Sequence, residues 1–340
     1  MAPLFISDYP LKALNTFGMD VVASKYAAFD NPDRLLALLE AHKQNPSQLL
    51  ILGGGSNILF TRDFDGLVLK SEIQGIEVVD DNGSEVLVKV GSGVVWHRLV
   101  EWCIDHGFGG IENLSLIPGT TGAAPIQNIG AYGVELKDVF HSLECIHIDS
   151  GTYAVFQSAD CMFGYRDSIF KRSLKGKVVI VSVTLKLTRN RQVNVSYGAI
   201  TQELQKMGVH APGIREVSEA VCAIRRSKLP DPAVIGNAGS FFKNPEVSEA
   251  TYEELKKDHP ALIAYPFGAH TYKLAAGWLI EQCGWKGKVV GHTGAHKDQA
   301  LVLVNYGGAS GEEVLRLSED IRASVRSGFG VEIEPEVNII

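Results

Sequence analysis

Ser240 sits in Asn237-Ala-Gly-Ser-Phe-Phe-Lys-Asn-Pro245, between an Ala-Gly pair and two adjacent aromatics, with Lys243 and Asn244 just beyond. A hydroxyl packed under aromatic cover and flanked by polar groups can deliver a proton in a partly dry site. The plainer reading is a loop serine with a local side-chain-to-backbone hydrogen bond. Phe163-Gly-Tyr-Arg-Asp-Ser168 puts Arg166 beside Tyr165, so the guanidinium fork could clamp a carboxylate, unless Arg166 simply pairs with Asp167. Val331-Glu-Ile-Glu-Pro-Glu-Val337, read as a strand, projects Glu332, Glu334 and Glu336 to one face and Val331, Ile333 and Val337 to the other. A solvated acidic face is the default there, and Glu336, beyond Pro335, is the member best placed to reach into a cleft.

Two glycine-rich segments suggest a bound ligand. Gly53-Gly-Gly-Ser-Asn57 is not a Walker A loop, because no Gly-Lys-Ser/Thr follows; nor is it the dinucleotide fingerprint, because Ile58 stands where the last glycine belongs. Consecutive glycines let backbone N–H groups converge on an anion, and Ser56 and Asn57 add side-chain donors; a tight structural turn is the alternative. Residues 117–133 are small, apolar and almost uncharged, so a flat or extended ligand can lie against their backbone. Together the two segments suggest one ligand carrying a diphosphate and a large planar ring. Arg225, Arg226, Lys228, Lys243 and Lys273 are the local positive charge for a second diphosphate. His292 and His296 lack the glutamate of a zinc-binding helix, so no metal site is expected.

Elements that position these groups are legible in part. Asn31-Pro32-Asp33 reads as N-cap, first-turn proline and first-turn acid of a helix carrying Leu35, Leu36, Leu38 and Leu39. Residues 49–52 form a short strand ending at the glycines, and Val86, Val88 and Val90 alternate as a strand should. A helix carrying Val95, Trp96, Leu99, Val100 and Cys103 comes next, closed by Gly107. Strands are expected at 143–148 and 178–187, the latter with Val179, Val181, Val183, Leu185 and Leu187 on one face. Further helices are expected at 214–227, 248–258, 272–282 and 310–327, with strands at 300–305 and 331–339.

The 340-residue chain is long enough for two or three domains, with a composition shift between 211 and 231. Its net charge of −7 excludes a general nucleic-acid binder. Five scattered cysteines without a CxxC indicate reduced thiols in a cytoplasmic protein rather than a disulfide framework or zinc ribbon. The N-terminal stretch lacks the basic and apolar regions of a signal peptide, and no apolar run approaches the about 20 residues of a membrane span, so no membrane association is expected.

The segments 237–245, Pro125-Ile-Gln-Asn-Ile-Gly-Ala-Tyr-Gly133, Phe163-Gly-Tyr-Arg-Asp-Ser-Ile-Phe-Lys171 and Lys228-Leu-Pro-Asp-Pro232 are highly specific together. With them the chain resembles the UDP-N-acetylenolpyruvoylglucosamine reductases, from Leu14-Asn-Thr-Phe-Gly18 to Glu334-Pro-Glu-Val337, in their long-tyrosine-loop subtype (type I). The resemblance implies an α+β architecture: a vanillyl-alcohol-oxidase/PCMH-type FAD-binding fold of two α+β subdomains, at 1–70 and 71–215, and a third α+β substrate-binding domain at 216–330. The strand at 331–340 can return to the first subdomain. It implies that Gly53, Gly54, Gly55, Ser56, Asn57, Ile117, Pro118, Gly119, Ala123, Ile126, Gly130, Tyr132 and Arg225 hold a non-covalent FAD.

By the same likeness Ser240 is the proton donor, Arg166 and Glu336 stabilise the intermediate, and Tyr197 belongs to a loop folding over the uridine-diphosphate sugar. Tyr165, Arg166, Lys228, Asn244, Tyr265, Lys273 and Gln299 stand where substrate contacts are expected. Ala123-Ala124 departs from members that carry hydroxyls there, so only backbone contacts to flavin are expected from it. The implied activity is NADPH-dependent reduction of UDP-N-acetylglucosamine enolpyruvate to UDP-N-acetylmuramate for peptidoglycan, by a monomer. Hydride goes from flavin N5 to the methylene carbon and a proton from Ser240 to C2. Glu336 beside the resulting dianion would have a raised pKa. An FAD oxidase of the same fold and a non-catalytic sugar-nucleotide-binding protein are the alternatives, distinguishable by air reoxidation and by a colourless preparation.

Overall fold

The computed structural model describes residues 4–189 and 192–340; the first three residues of the stretch read for a signal peptide lie outside these. The chain divides into two compact units. One holds the chain up to Tyr9 with Ala23–Gly55 and Asp65–Ser227; the other holds Pro10–Val22, Ser56–Phe64 and Lys228–Ile340.

In the first unit, Asn31 accepts a hydrogen bond from the Arg34 N–H at 2.8 Å and starts helix α1 (Pro32–Gln44), which buries Leu35, Leu38 and Leu39. Strand Gln48–Leu52 runs parallel to Phe64–Ser71 in a four-stranded sheet. A second sheet is antiparallel, in the order Tyr153–Gln157, Phe140–His147, Val178–Thr188, Glu85–Gly91, Ile76–Asp81. Its face carrying Val86, Val88 and Val90 packs on helix α2 (Trp96–Asp105) through Leu99, Val100 and Cys103. Val95, expected within that helix, is instead its N-cap and is exposed. Helices α3 (Gly198–Lys206) and α4 (Ile214–Lys228) pack on each other through Ile200, Leu204, Val217 and Val221.

The one-face reading of the long strand is corrected. Its register against Phe140–His147 shifts where Glu144 pairs with Ser182 but Cys145 pairs with Ile180. The extra residue, Val181, is a β-bulge, and a bulge reverses the parity of a two-residue repeat. Val183, Leu185 and Leu187 therefore join Ile180 in the core with α2, while Val179 and Val181 pack with Phe29, Leu35 and Leu69.

The second unit contains a four-stranded sheet, in the order Gly236–Ser240, Val302–Asn305, Thr293–Ala295, Val289–Val290, and a three-stranded one of Glu246–Ser248, Thr271–Leu274 and Ala264–Pro266. The motif at 14–18 is built into this unit: Asn305 Nδ2 donates to the Phe17 carbonyl at 2.9 Å, and the Asn237 N–H to that of Thr16 at 3.0 Å. Helices α5 (Glu249–Asp258), α6 (Ala276–Gln282) and α7 (Gly311–Phe329) complete it.

Two further expectations are corrected here. Tyr272 to Leu274 are strand, because Tyr272 and Lys273 pair with both neighbouring strands of the small sheet, and α6 begins only at Ala276. Residues 331–337 keep the alternation, with Val331, Ile333 and Val337 buried and Glu332 and Glu334 exposed. They form only an isolated bridge at Pro335, which has no N–H for a ladder; regular pairing resumes at Asn338–Ile339, parallel to Ile58–Leu59.

Ser310 and Glu313 form a reciprocal capping box at the start of α7, whose Val314, Leu317, Ile321 and Val325 are buried. Ser310→Ala is expected to lower unfolding stability by about 1 kcal/mol, read as a reduced denaturant midpoint, while Ser310→Asp retains the cap. An unchanged midpoint in the alanine variant would show that packing alone fixes this helix end.

Candidate active site

In the first unit the two glycine-rich segments meet. Strand Gln48–Leu52 delivers Gly53 and Gly54 onto Gly119 and Thr120 so closely that no side chain fits between. A Cβ on Gly54 would stand 2.8 Å from Gly119 Cα, and one on Gly53 would stand 2.6 Å from Thr120 Oγ1 and 3.6 Å from Ala123 Cβ. The Thr121 N–H donates to the Val94 carbonyl at 2.8 Å and the Gly122 N–H to that of Ser92 at 2.9 Å, fixing the second segment to the chain entering α2. Ile117 and Gly119 are partly buried, Pro118 and Ile126 exposed.

The same unit gathers its basic groups around the end of that segment. Arg166, in the left-handed region at φ +53°, donates through Nη2 to the Gly130 carbonyl at 2.5 Å and lies 5.4 Å from the Tyr165 ring centroid. Asp167 is engaged by Arg172 at 3.3 Å. Arg225 donates to the Leu116 carbonyl at 3.3 Å and is hydrogen-bonded to Tyr132. Desolvation pushes the Arg225 pKa below the ordinary guanidinium value, opposed by Tyr132 and Cys222 and assisted by the positive charge of Arg166. The Glu135 side chain reaches the same place, since a Cβ on Gly130 would stand 2.9 Å from both Arg166 Nη1 and Glu135 Cγ. A desolvated guanidinium is costly to keep charged, and an anion beside Arg225 would offset that cost.

Tyr132, also left-handed at φ +51°, has its phenol pKa raised by burial. Its ring meets that of exposed Tyr197, the N-cap residue of α3, edge to face at 5.3 Å. Sequence reasoning gave no role to two residues that hold this arrangement. Asn113 Nδ2 donates to the carbonyls of Tyr132 and Asn194, at 3.1 and 2.9 Å. Fully buried Asn128, left-handed at φ +44°, donates to the Gly164 carbonyl at 2.9 Å and accepts from the Lys137 N–H at 3.0 Å. A signal was present: each is a polar amide in an otherwise apolar run.

The second unit holds the remaining groups. Ser240 ends strand Gly236–Ser240, pairs with Val302 and is exposed, which corrects the expectation of aromatic cover. Phe241 and Phe242 are buried at 0% and 1% instead, Phe241 packing on Phe17 at 6.3 Å and on Phe242 at 5.1 Å. Each buried ring is worth roughly 1.5–3 kcal/mol over exposure, enough to pin the backbone that presents the hydroxyl. Residues 334–336 run alongside: the Glu336 N–H donates to the Phe241 carbonyl at 2.7 Å and the Lys243 N–H to that of Glu334 at 2.9 Å. Glu336 is half-buried, and its carbonyl accepts from Asn57 Nδ2 at 3.3 Å. Asn57, read as a phosphate donor, thus spends a side-chain N–H on the acidic segment; Ser56 lies in this unit too.

Among the other expected contact residues, Tyr265 and Lys273 are cross-strand partners, and Lys273 lies 3.4 Å from the Phe267 ring centroid. Asn244 Oδ1 accepts from the Ala276 N–H at 3.0 Å and so caps α6, while Gln299 Oε1 stands 3.1 Å from where a Cβ on Gly277 would lie in that helix. Lys228 is exposed at the end of α4.

Residues 23–156 match the FAD binding domain family, and residues 231–340 match the family of the UDP-N-acetylenolpyruvoylglucosamine reductase C-terminal domain. Over 330 residues the chain is 51% identical to UDP-N-acetylenolpyruvoylglucosamine reductase of Pseudomonas aeruginosa, with 97% of each chain covered. Over 333 residues it is 49% identical to the same enzyme of Burkholderia multivorans, covering 97% of this chain and 95% of that one. The chain belongs to the UDP-N-acetylenolpyruvoylglucosamine reductase family.

The reductases of this family, this chain included, are UDP-N-acetylmuramate dehydrogenases: FAD-dependent oxidoreductases of peptidoglycan precursor synthesis that draw on NADPH. Membership selects the reductase over the oxidase and non-catalytic alternatives. The fold is that of a PCMH-type FAD-binding domain with a reductase C-terminal domain. It is shared with the solved UDP-N-acetylenolpyruvylglucosamine reductase of Thermus caldophilus, at a TM-score of 0.67 and 21% identity over 98% of this chain and 99% of that one. Likewise 6-hydroxy-D-nicotine oxidase of Arthrobacter nicotinovorans aligns at a TM-score of 0.55 and 14% identity, over 97% of this chain and 88% of that one. Among the described residues no helix is long and apolar enough to cross a membrane.

The residues present fit a flavin dinucleotide, since the glycine contact leaves the backbone open to close approach without Cβ interference and desolvated Arg225 can meet an anion. Gly54→Ala puts a methyl against backbone that cannot rotate away. It is expected to cost the reductase at least tenfold in FAD affinity, on the order of 1.4 kcal/mol, measured by flavin fluorescence on dilution. Wild-type retention of flavin in this variant would show that the two segments part without consequence.

Proposed function

We propose that the reductase converts UDP-N-acetylglucosamine enolpyruvate to UDP-N-acetylmuramate, with Arg166 receiving the enolpyruvyl carboxylate. The observation that carries this is the placement of Arg166 on the Gly130 carbonyl, at the end of the second glycine-rich segment, where its positive charge acts on desolvated Arg225. FAD held by Gly53 to Asn57, residues 117–132 and Arg225 would supply hydride for the enolpyruvyl methylene carbon, with NADPH as its source. Arg166 stabilises the enolate-like dianion that results, where its charge develops. That species is basic enough for Ser240, ordinarily a very weak acid, to donate its hydroxyl proton to C2. Glu336 acts in its protonated form, since a carboxylate beside a dianion is repulsive. The hydrogen bond from the Glu336 N–H to the residue after Ser240 supports the two working together.

Gly53 to Asn57 and residues 117–132, with Arg225, hold the flavin in this reading, without a covalent bond, as neither segment contains cysteine or histidine. Tyr165, Lys228, Asn244, Tyr265, Lys273 and Gln299 contact the sugar nucleotide. Tyr197, exposed on Tyr132, serves the long-tyrosine-loop subtype as the residue that closes over the diphosphate. The flavin subdomains are assigned to 1–70 and 71–215 and the substrate domain to 216–330, in a cytoplasmic monomer.

A general acid is worth about 10²–10⁴ in rate. Ser240→Ala is therefore expected to slow reoxidation of reduced flavin by substrate by that factor while NADPH still bleaches it, read by stopped-flow absorbance. An equal fall in both half-reactions would make Ser240 structural. Arg166→Lys turns a fork into a point charge and is expected to lose at least about a hundredfold in the same step. Near-normal turnover would remove Arg166 from the chemistry.

A further inference from the structure

The start of α2 grips the stretch leading into the second glycine-rich segment at three places. Trp96 Nε1 donates to the Leu114 carbonyl at 2.9 Å, and the Trp96 N–H to the Gly119 carbonyl at 3.0 Å. Between them the Leu116 N–H donates to His97 Nδ1 at 3.0 Å. Leu116 is in the left-handed region at φ +59°, a conformation that costs a branched residue free energy and persists only when its surroundings enforce it. Its carbonyl is the acceptor for Arg225 Nε. One residue's backbone thus joins an imidazole to the desolvated arginine.

We propose that His97 is a positioning residue for the flavin segment, its neutral imidazole holding the left-handed Leu116 backbone and, through the Leu116 carbonyl, aiming Arg225. The inference rests on the reading of residues 117–132 and Arg225 as flavin contacts. An imidazole accepts at Nδ1 only when its proton is on Nε2. Glu101 Oε1, one helical turn on, lies 3.6 Å from Nε2 and favours that tautomer. Burial, with Arg226 and Arg225, holds the His97 pKa below its ordinary value, against the opposing pull of Glu101. The other charged or titratable groups around this edge are Asp105 on α2 and Arg215, Glu219 and Cys222 on α4, lining a pocket of about 410 Å³ into which His97 opens.

Protonation fills the Nδ1 lone pair. The grip is therefore complete above the ordinary histidine pKa of about 6.5 and is lost as pH falls through the lowered value in the folded chain. Acidification acts on the flavin segment through this one hydrogen bond, from the Leu116 N–H to His97.

The test uses the flavin-loaded protein and two variants. His97→Asn offers an amide oxygen in place of Nδ1 and does not titrate; His97→Leu offers no acceptor. Expected are an acceptor-type Nδ1 shift in nitrogen NMR, and an FAD dissociation constant that rises in the wild type as pH falls through the lowered His97 value. In His97→Leu it should be raised about tenfold at neutral pH, with faster exchange of the Leu116 amide. His97→Asn should restore both and abolish the pH dependence. Faster Leu116 exchange in His97→Leu with unchanged flavin affinity would overturn the link to the flavin, and unchanged exchange would overturn the grip itself. Normal flavin affinity after Arg225→Ala and Gly54→Ala would instead locate the failure in the flavin-site reading.

Discussion

The backbone contact of Gly53 and Gly54 with Gly119 and Thr120 is the constraint on which the first unit depends. With 2.8 Å between a hypothetical Gly54 Cβ and Gly119 Cα, the contact exists only because both partners lack side chains. It brings segments more than 60 residues apart into one surface without spending a charged residue. The chain's net charge of −7 leaves positive potential to be supplied locally, and desolvated Arg225, joined to Tyr132 and to the Leu116 carbonyl, supplies it beside the second segment.

That contact also sets the arrangement of charge. The second segment continues to Gly130, whose carbonyl takes Arg166, and to Tyr132, which takes Arg225. Both arginines are therefore placed by the same stretch that meets the glycine loop. Asp167, next to Arg166 in the chain, pairs with Arg172, and desolvation of Arg225 lowers its pKa.

The second unit solves a different problem, which is to present a hydroxyl and a carboxyl from rigid backbone. Ser240 is exposed, so its placement derives from the residues just after it in the chain. These are two buried phenylalanines, and the carbonyl of the first accepts from Glu336. Asn57 ties the Glu336 carbonyl in turn, and Asn338 Nδ2 donates to the Asn57 carbonyl at 2.9 Å. The acidic segment is held at both edges although it forms almost no regular strand.

Composition, capping residues and motif order sufficed for much of this protein from its sequence. Asn31 and Ser310 marked helix starts because a cap is a local interaction, and Val86, Val88 and Val90 marked a strand because alternation is local too. The glycine segments, Arg166, Ser240 and Glu336 were legible as chemistry, and the order of their motifs pointed to the reductase family. Three things required the fold. The bulge at Val181 reverses side-chain parity through a pairing that one strand alone does not encode. The approach of Arg166 to Gly130 depends on a backbone dihedral in the left-handed region that nothing in its residue type demands. The exposure of Ser240 depends on which neighbours its strand meets, and the aromatics next to it in sequence turn out to be anchors. Local rules name the residues that carry chemistry; partners distant in sequence decide which of them are charged, covered or aimed.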